Sequence, residues 1–345
     1  MRTTQVLWFA AALRCREDVS ERGFHMCVAI RFNSTDGSMY FARNFDWSQS
    51  YNEKMVGLPR GCKVQYAHEG ESEVKYDTFG LGIAYNGTVM YFDAMNEKGL
   101  AVAVLSLPET TKFSDVEDGK VNVACFEFPT WALANYADTY ELEEALKNVA
   151  ITAGGFDALE GVGGMHWIFA DQKRSIVVES TVRGLEVFDD DLDIVTNEPG
   201  FAWHRQNVRN YLGVSSEVPA TENWGRSSDL KPVGHGPGMR GIPGDYSPVS
   251  RFVKSAFINA NYPVQESEED NVTRMFRTVG TVAVPLGAMK MEDGTWDYTL
   301  FQAGYSAKTM TCFYSTYDDP TIRTYRLADI DFGDRTAPVV CEWDD

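Results

Sequence analysis

The sequence predicts an α+β protein in which helices cover two stacked sheets, and three features of its patterning predict it. Short apolar-rich segments parted by tight-turn signals occupy most of the chain. Two pairs of segments with apolar residues at helical spacing interrupt them. The resulting order is strands, two helices, strands, two helices and strands again, which fits a four-layer αββα sandwich of antiparallel sheets flanked by helices. At 345 residues and 44% hydrophobic content the chain can bury a large core. No repeat, low-complexity tract or linker splits it, so residues 27–345 read as a single domain.

The elements follow in order. Cys27 to Phe32 and Ser38 to Arg43 are strands joined by Asn33-Ser34-Thr35-Asp36-Gly37, a hairpin signal. Val89 to Met95 and Leu100 to Leu107 flank Asn96-Glu97-Lys98-Gly99 in the same way. Thr130 to Tyr136 and Glu141 to Val149 carry apolar residues at helical spacing, with Thr139 as the expected cap of the second. Strands are expected at His166 to Ala170, Ser175 to Ser180, Leu185 to Phe188 and Ile194 to Asn197. Residues 213–245 shift to Ser, Pro and Gly and read as a long excursion of the kind that is usually functional or interface-forming. Ser250 to Tyr262 and Asn271 to Val279 resume helical spacing, and a last strand group runs from Tyr298 through Tyr325.

A net charge of −19 argues against a nucleic-acid partner, because phosphate contact needs a basic face. The six cysteines, Cys15, Cys27, Cys62, Cys125, Cys312 and Cys341, lie far apart, so neither a zinc site nor a disulfide framework is indicated. Scattered thiols fit a reducing cytoplasm. The sequons at Asn33, Asn86 and Asn271 read as chance occurrences. Near the start, Val6 to Leu13 is an apolar run far too short to span a bilayer, and no membrane association is expected. Charged residues follow it without a small-residue cleavage site. Residues 1–26 are therefore either a poor signal or pro-segment or an untranslated upstream extension, and the flanks favour the second. In both readings the functional chain begins at Cys27.

Met26-Cys27 carries the chemistry. A cysteine at a new N-terminus bears its own general base, because an α-amine titrates near ~8 and can take the thiol proton. One residue then supplies nucleophile and base. The remaining groups need only hold the amine, shape the sulfur's surroundings and stabilise an oxyanion, and Arg43 and Asp46 are suitable types for the first two tasks. Taken singly, each signal has a plainer reading. Cysteine is among the most often buried residues, Arg43 and Asp46 could be a structural ion pair, Asn197-Glu198-Pro199 could be a turn and Arg251 a solvated helix residue. With a self-contained base, His68, His166, His204 and His235 read as structural.

Taken together, the motifs resemble the choloylglycine hydrolase family, the N-terminal-nucleophile amidases that include bile salt hydrolases and penicillin V acylases. The motifs are Met26-Cys27, Arg43-Asn44-Phe45-Asp46, the run Phe92 to Leu100, Val195 to Pro199 with Trp203-His204 after it, and Gly241 to Phe252. The resemblance implies the following roles. Cys27 is the nucleophile, Asp46 binds the α-amine and Arg43 sits near the thiolate. Asn197 gives a side-chain oxyanion donor and Arg251 is the second active-site arginine. Ser106 stands where an active-site Asn is common, and its backbone N–H can still serve the oxyanion; the change bears on substrate preference and rate. Phe45 is a pocket candidate for substrate binding.

The same resemblance implies no metal and no cofactor, a homotetramer with 213–245 as an assembly loop, and hydrolysis of glycine- or taurine-conjugated bile salts in the cytoplasm. Penicillin V or another N-acyl amide is the alternative substrate. A non-catalytic binding protein is the alternative if the extension is retained.

Overall fold

The computed structural model of the protein describes residues 26–85, 87–154 and 163–341. Residues 1–25, with the apolar run and Cys15, lie outside the described residues, as does the sequon at Asn86. The chain opens with β1 (Cys27–Asn33) and β2 (Met39–Trp47), then β3 (Lys54–Leu58), β4 (Lys63–Tyr66), β5 (Gly70–Glu73), β6 (Thr78–Tyr85), β7 (Thr88–Asn96), β8 (Ala101–Ser106) and β9 (Val121–Ala124). Two helices follow, α1 (Phe128–Asn135) and α2 (Thr139–Leu146), before β10 (Val149–Thr152), β11 (Met165–Ala170), β12 (Ser175–Thr181), β13 (Gly184–Asp189) and β14 (Ile194–Val195). The last third holds α3 (Phe201–Asn207), α4 (Pro248–Asn261) and α5 (Glu268–Gly280), then β15 (Met289–Lys290), β16 (Trp296–Ser306), β17 (Thr311–Thr316), β18 (Arg323–Arg326) and β19 (Val339–Cys341).

Two large sheets result. The first runs β14-β1-β2-β16-β17-β18 with β15 beside β16, and the second runs β13-β12-β11-β8-β7-β6-β3-β19. Every pairing within them is antiparallel. One apolar core lies between the sheets and under α4 and α5, joining Val28, Phe41 and Tyr305 to Phe79, Leu105 and Ile168. A second core lies on the far face of the second sheet, where Trp167 and Phe169 meet Phe128 and Trp131 of α1. Helix pair, sheet, sheet and helix pair make the four expected layers. Continuous burial along β1 and β2 follows from being covered on both faces.

Local differences from the sequence reading have physical causes. Asp138, not Thr139, caps α2: its carboxylate accepts the N–H of Tyr140 and Glu141, while the Thr139 hydroxyl donates to Asp171 at 2.8 Å. The helix expected to reach Val149 stops at Leu146, because Val149–Thr152 is a β-rich run that pairs in parallel with β9. Strands β3 to β6, the short strands β9, β10, β15 and β19, and the seven-residue α3 lie outside the expected elements. The 213–245 excursion is mostly exposed, with one 3-10 turn at Pro237–Met239 and a bridge between Glu222 and Leu230. Among the described residues no helix is long and apolar enough to cross a membrane.

Gly80 marks where β6 approaches β7 most closely: a Cβ there would collide with the Asp93 carbonyl oxygen and the Ala94 backbone. Gly80→Ala is expected to cost about 3 kcal/mol of stability, read from urea unfolding midpoints, because main-chain atoms cannot move aside as a flexible side chain can.

Candidate active site

Cys27 opens β1 and pairs with Phe45 of β2, so the thiol stands at the strand's end between the sheet and its neighbours. Side chains alternate along a strand, and three residues therefore separate opposite faces. Arg43 points toward the second sheet and Asp46 toward α4. The spacing that could have meant an ion pair instead brings one charge to each side of the thiol.

On the inner side, Arg43 Nη2 donates to Cys27 Sγ at 2.9 Å and to the Val104 carbonyl at 3.1 Å. Its Nη1 donates to the Phe92 carbonyl and pairs with Asp93 Oδ2 at 3.2 Å, with both side chains fully buried. The Tyr305 hydroxyl donates to the other Asp93 oxygen at 2.6 Å. Phe45 lies under the guanidinium, 4.7 Å from ring centroid to Arg43 Cζ, and stacks on Phe301 at 4.7 Å. Phe45 is buried and serves as the floor of Arg43; its proposed contact with substrate is a separate matter.

On the outer side, the Thr299 hydroxyl donates to Asp46 Oδ1 at 2.5 Å, from a point where the β2–β16 register shifts between Thr299 and Phe301. Arg251 lies in the first turn of α4, whose N-terminus is capped by Ser247 and begins with Pro248. Its Nη1 donates to the Cys27 carbonyl at 2.7 Å and lies 3.6 Å from Asp46 Oδ2, while Nη2 donates to Asn197 Oδ1 at 2.7 Å. Asn197 Oδ1 also accepts the Cys27 main-chain N–H at 2.7 Å, and Nδ2 donates to the Ser106 carbonyl at 2.8 Å. Ser106 ends β8 and is half-buried. Arg43, Asp46, Asn197 and Arg251 thus converge on Cys27, with Ser106 and Phe45 one contact away.

Burial dominates the electrostatics. It pushes the Cys27 thiol up from its ordinary value, against the pull of Arg43 and Arg251 and a hydrogen bond from the Asp46 main chain. It raises Asp46 to about 6, although Arg251, Thr299 and Arg43 all favour the ionised form. Burial also lowers Arg251 and raises Asp93. Asp297, fully buried nearby, is raised to about 7 by burial and then by the charge of Asp46. Among the described residues Asp46 Oδ2 accepts no hydrogen bond. A buried carboxylate oxygen in that condition is suited to a cationic donor.

Asp93, Thr299, Tyr305 and Asp297 were not singled out from sequence. Asp93 alone left a signal, a lone carboxylate inside the apolar run Val89 to Met95. Among the described residues no group of His, Cys, Asp and Glu side chains could hold a metal ion.

Two stacked antiparallel sheets between helix layers, with a cysteine at the open end of the first strand, define the N-terminal-nucleophile hydrolase class. The profile of the linear amide C–N hydrolases, choloylglycine hydrolase family, matches residues 27–341, and the chain belongs to that family. The bile salt hydrolase/transferase of Bifidobacterium longum subsp. longum is 44% identical over 312 residues, covering 89% of this chain and 96% of the relative. The conjugated bile acid hydrolase of Lactobacillus gasseri is 37% identical over 306 residues, covering 88% and 96%. Among solved structures, a mutant conjugated bile acid hydrolase from Clostridium perfringens superposes with a TM-score of 0.84 at 29% identity, covering 92% of this chain and 97% of that one. The penicillin V acylase from Agrobacterium tumefaciens gives a TM-score of 0.72 at 19% identity over 90% of this chain and 89% of its own, which shows a shared fold.

Removing one partner of the buried Arg43–Asp93 pair leaves an uncompensated charge. Asp93→Ala is expected to destabilise the protein by about 3–5 kcal/mol, measured by urea unfolding, and to lower turnover by releasing Arg43 from Cys27.

Proposed function

We propose that the functional chain begins at Cys27 and hydrolyses the amide bond of glycine- or taurine-conjugated bile salts. The observation that carries this reading is the convergence on one residue: Arg43 on the sulfur, Asn197 on the main-chain nitrogen and Arg251 on the carbonyl of Cys27. The family match beginning at residue 27 and the printed activities of the bacterial relatives support it.

With Met26 attached, the Cys27 nitrogen is an amide and cannot take a proton, and burial keeps the thiol protonated. Removal of residues 1–26 frees an α-amine that keeps its contact with Asn197 Oδ1 and takes the Asp46 carboxylate as its anionic partner. The neutral amine donates to Asn197 and keeps its lone pair for the thiol proton. The thiolate, in the field of Arg43 and Arg251, attacks the amide carbon. Asn197 Nδ2 carries two hydrogens; one goes to the Ser106 carbonyl and the other is offered to the oxyanion, joined by the Ser106 main-chain N–H. A donor of this kind contributes roughly 3–4 kcal/mol to the barrier reduction. The α-ammonium protonates the departing amine, and water then hydrolyses the thioester. These steps need neither metal nor cofactor.

Residues 27–345 act as one domain in this reading. It is a cytoplasmic homotetramer assembled in part through 213–245, where Trp224 and Val233 are exposed.

Purified protein is incubated separately with glycocholate, taurocholate and penicillin V; release of glycine or taurine is expected, and turnover of penicillin V alone overturns the bile salt assignment. Intact mass of the native protein is expected to match a chain starting at Cys27; a mass that includes Met1 overturns the mechanism in favour of a binding protein. Cys27→Ser is expected to lower turnover at least about 10³-fold with the fold retained, checked by circular dichroism alongside the assay.

Two groups give the acid limb. The α-amine must be neutral to take the thiol proton, and Asp46, raised to about 6 by burial, must be ionised to hold the ammonium that results. The pH profile of kcat/KM is therefore expected to fall toward acid as the amine becomes protonated, and to fall further once pH drops below about 6.

A further inference from the structure

The segment carrying Asn197 is gripped at three successive residues, from three sides. His166 Nε2 lies 2.8 Å from the Thr196 carbonyl, and the Thr196 hydroxyl donates to the Pro248 carbonyl at the start of α4. His204 Nε2 lies 2.9 Å from the Asn197 carbonyl. Glu198 Oε1 accepts the N–H of Glu109 at 2.7 Å and of Thr110 at 2.8 Å, and Oε2 accepts the Thr110 hydroxyl at 2.6 Å. Glu179 backs the group, accepting from Phe201 N at 2.8 Å and facing His166 Nδ1 at 3.1 Å.

A carbonyl only accepts, so Nε2 of His204 carries a hydrogen. Burial pushes this imidazole down to about 4, which keeps it neutral. Its ring stacks on Phe252, next to Arg251, at 4.5 Å and 8°. Its Nδ1 is buried and accepts no hydrogen bond among the described residues. A phenylalanine would fill this place without burying an unpaired nitrogen, so packing alone does not account for the histidine. What the imidazole adds is its donor to Asn197. Helix α3 buries only Phe201 and His204 and leaves its other faces outward. On the opposite side, Glu198 binds the turn that begins three residues after Ser106. The two groups assigned to the oxyanion, the Asn197 amide and the Ser106 N–H, are therefore held together through Glu198 as well as through the direct Asn197–Ser106 contact.

We propose that His204 and Glu198 are positioning residues for the oxyanion donors. His204 holds the main chain of Asn197, and Glu198 ties the next residue to the Glu109–Thr110 turn, so that the Asn197 amide and the Ser106 main chain keep a fixed separation. The proposal rests on the amidase mechanism above. Donors of this kind lose their value when displaced by a fraction of an ångström, because they must meet charge that appears only in the transition state.

The test uses enzyme starting at Cys27 and the variants His204→Phe, His204→Gln, Glu198→Ala and Thr110→Val. With glycocholate, His204→Phe, which keeps the stack on Phe252, is expected to lower kcat about 30-fold and Glu198→Ala about 10-fold, with KM within about 3-fold. His204→Gln, which retains an N–H donor, recovers part of kcat, and Thr110→Val falls in the same direction as Glu198→Ala. Alkylation of Cys27 by iodoacetamide, followed by mass spectrometry at that residue, needs no oxyanion and is expected to stay within about 2-fold of the parent enzyme.

Unchanged kcat in the folded variants overturns the proposal. So does alkylation that falls in step with kcat, which would mark general damage to the site. Crystal structures of His204→Phe and Glu198→Ala give a readout independent of substrate: the Asn197 Nδ2 to Ser106 O contact is expected to lengthen, and an unchanged 2.8 Å overturns the proposal. If the parent enzyme does not cleave glycocholate, the substrate reading fails while this distance still decides the role of His204 and Glu198. If His204→Phe does not fold, the half-buried Glu198 and Thr110 carry the same measurements.

Discussion

The structure depends on enclosing two arginines around one thiol. Arg43 and Arg251 are fully buried, and a buried guanidinium survives only when its donors are spent on charge and carbonyl groups. Arg43 spends them on Asp93, three carbonyls and Cys27 Sγ; Arg251 spends them on Asn197 Oδ1 and two carbonyls and faces Asp46 as an ion pair at 3.6 Å. Each cation is thereby tied to a different layer. Arg43 links the two sheets, and Arg251 links α4 to the end of β1. Cys27 sits where these ties cross, so the groups proposed to make its thiol reactive are the ones that hold the layers together.

This arrangement bears on the free amine of the proposed mechanism. Burial by itself disfavours a thiolate, and the two cations only partly oppose it. In the proposed mechanism a base three bonds from the sulfur, within the same residue, adds the missing proton acceptor without a second titrating side chain having to be desolvated. The histidines are then available for other work. His166 and His204 meet main-chain carbonyls beside Asn197, and His68 meets Thr152 and Gly154 near β10.

Much of this was legible in the residue order. The hairpin of β1 and β2, the β7–β8 pair, both helix pairs and the exposed 213–245 excursion follow from turn residues and apolar spacing. Other parts were not. The β3–β6 region was passed over because its strands are short or broken by turns, and β4 and β5 form only a two-stranded hairpin. Thr139 looked like a cap, but its hydroxyl was claimed by Asp171, thirty-two positions away, and the neighbouring Asp138 took its place.

The sequence by itself determined the α+β layering and the candidate nucleophile with Arg43 and Asp46 beside it, because turn chemistry and strand alternation are local properties of the chain, while Asn197 and Arg251 came from the resemblance of its ordered motifs to a known family. Only the tertiary structure decided which face each group took and what supported it. Asp93, Tyr305 and Thr299 reach the site from other strands, and His204 and Glu198 meet its loop through contacts to α4 and the 109–110 turn. Such partners are chosen by register, a bulge in β16 and the stacking of two sheets, quantities set by packing across the whole molecule.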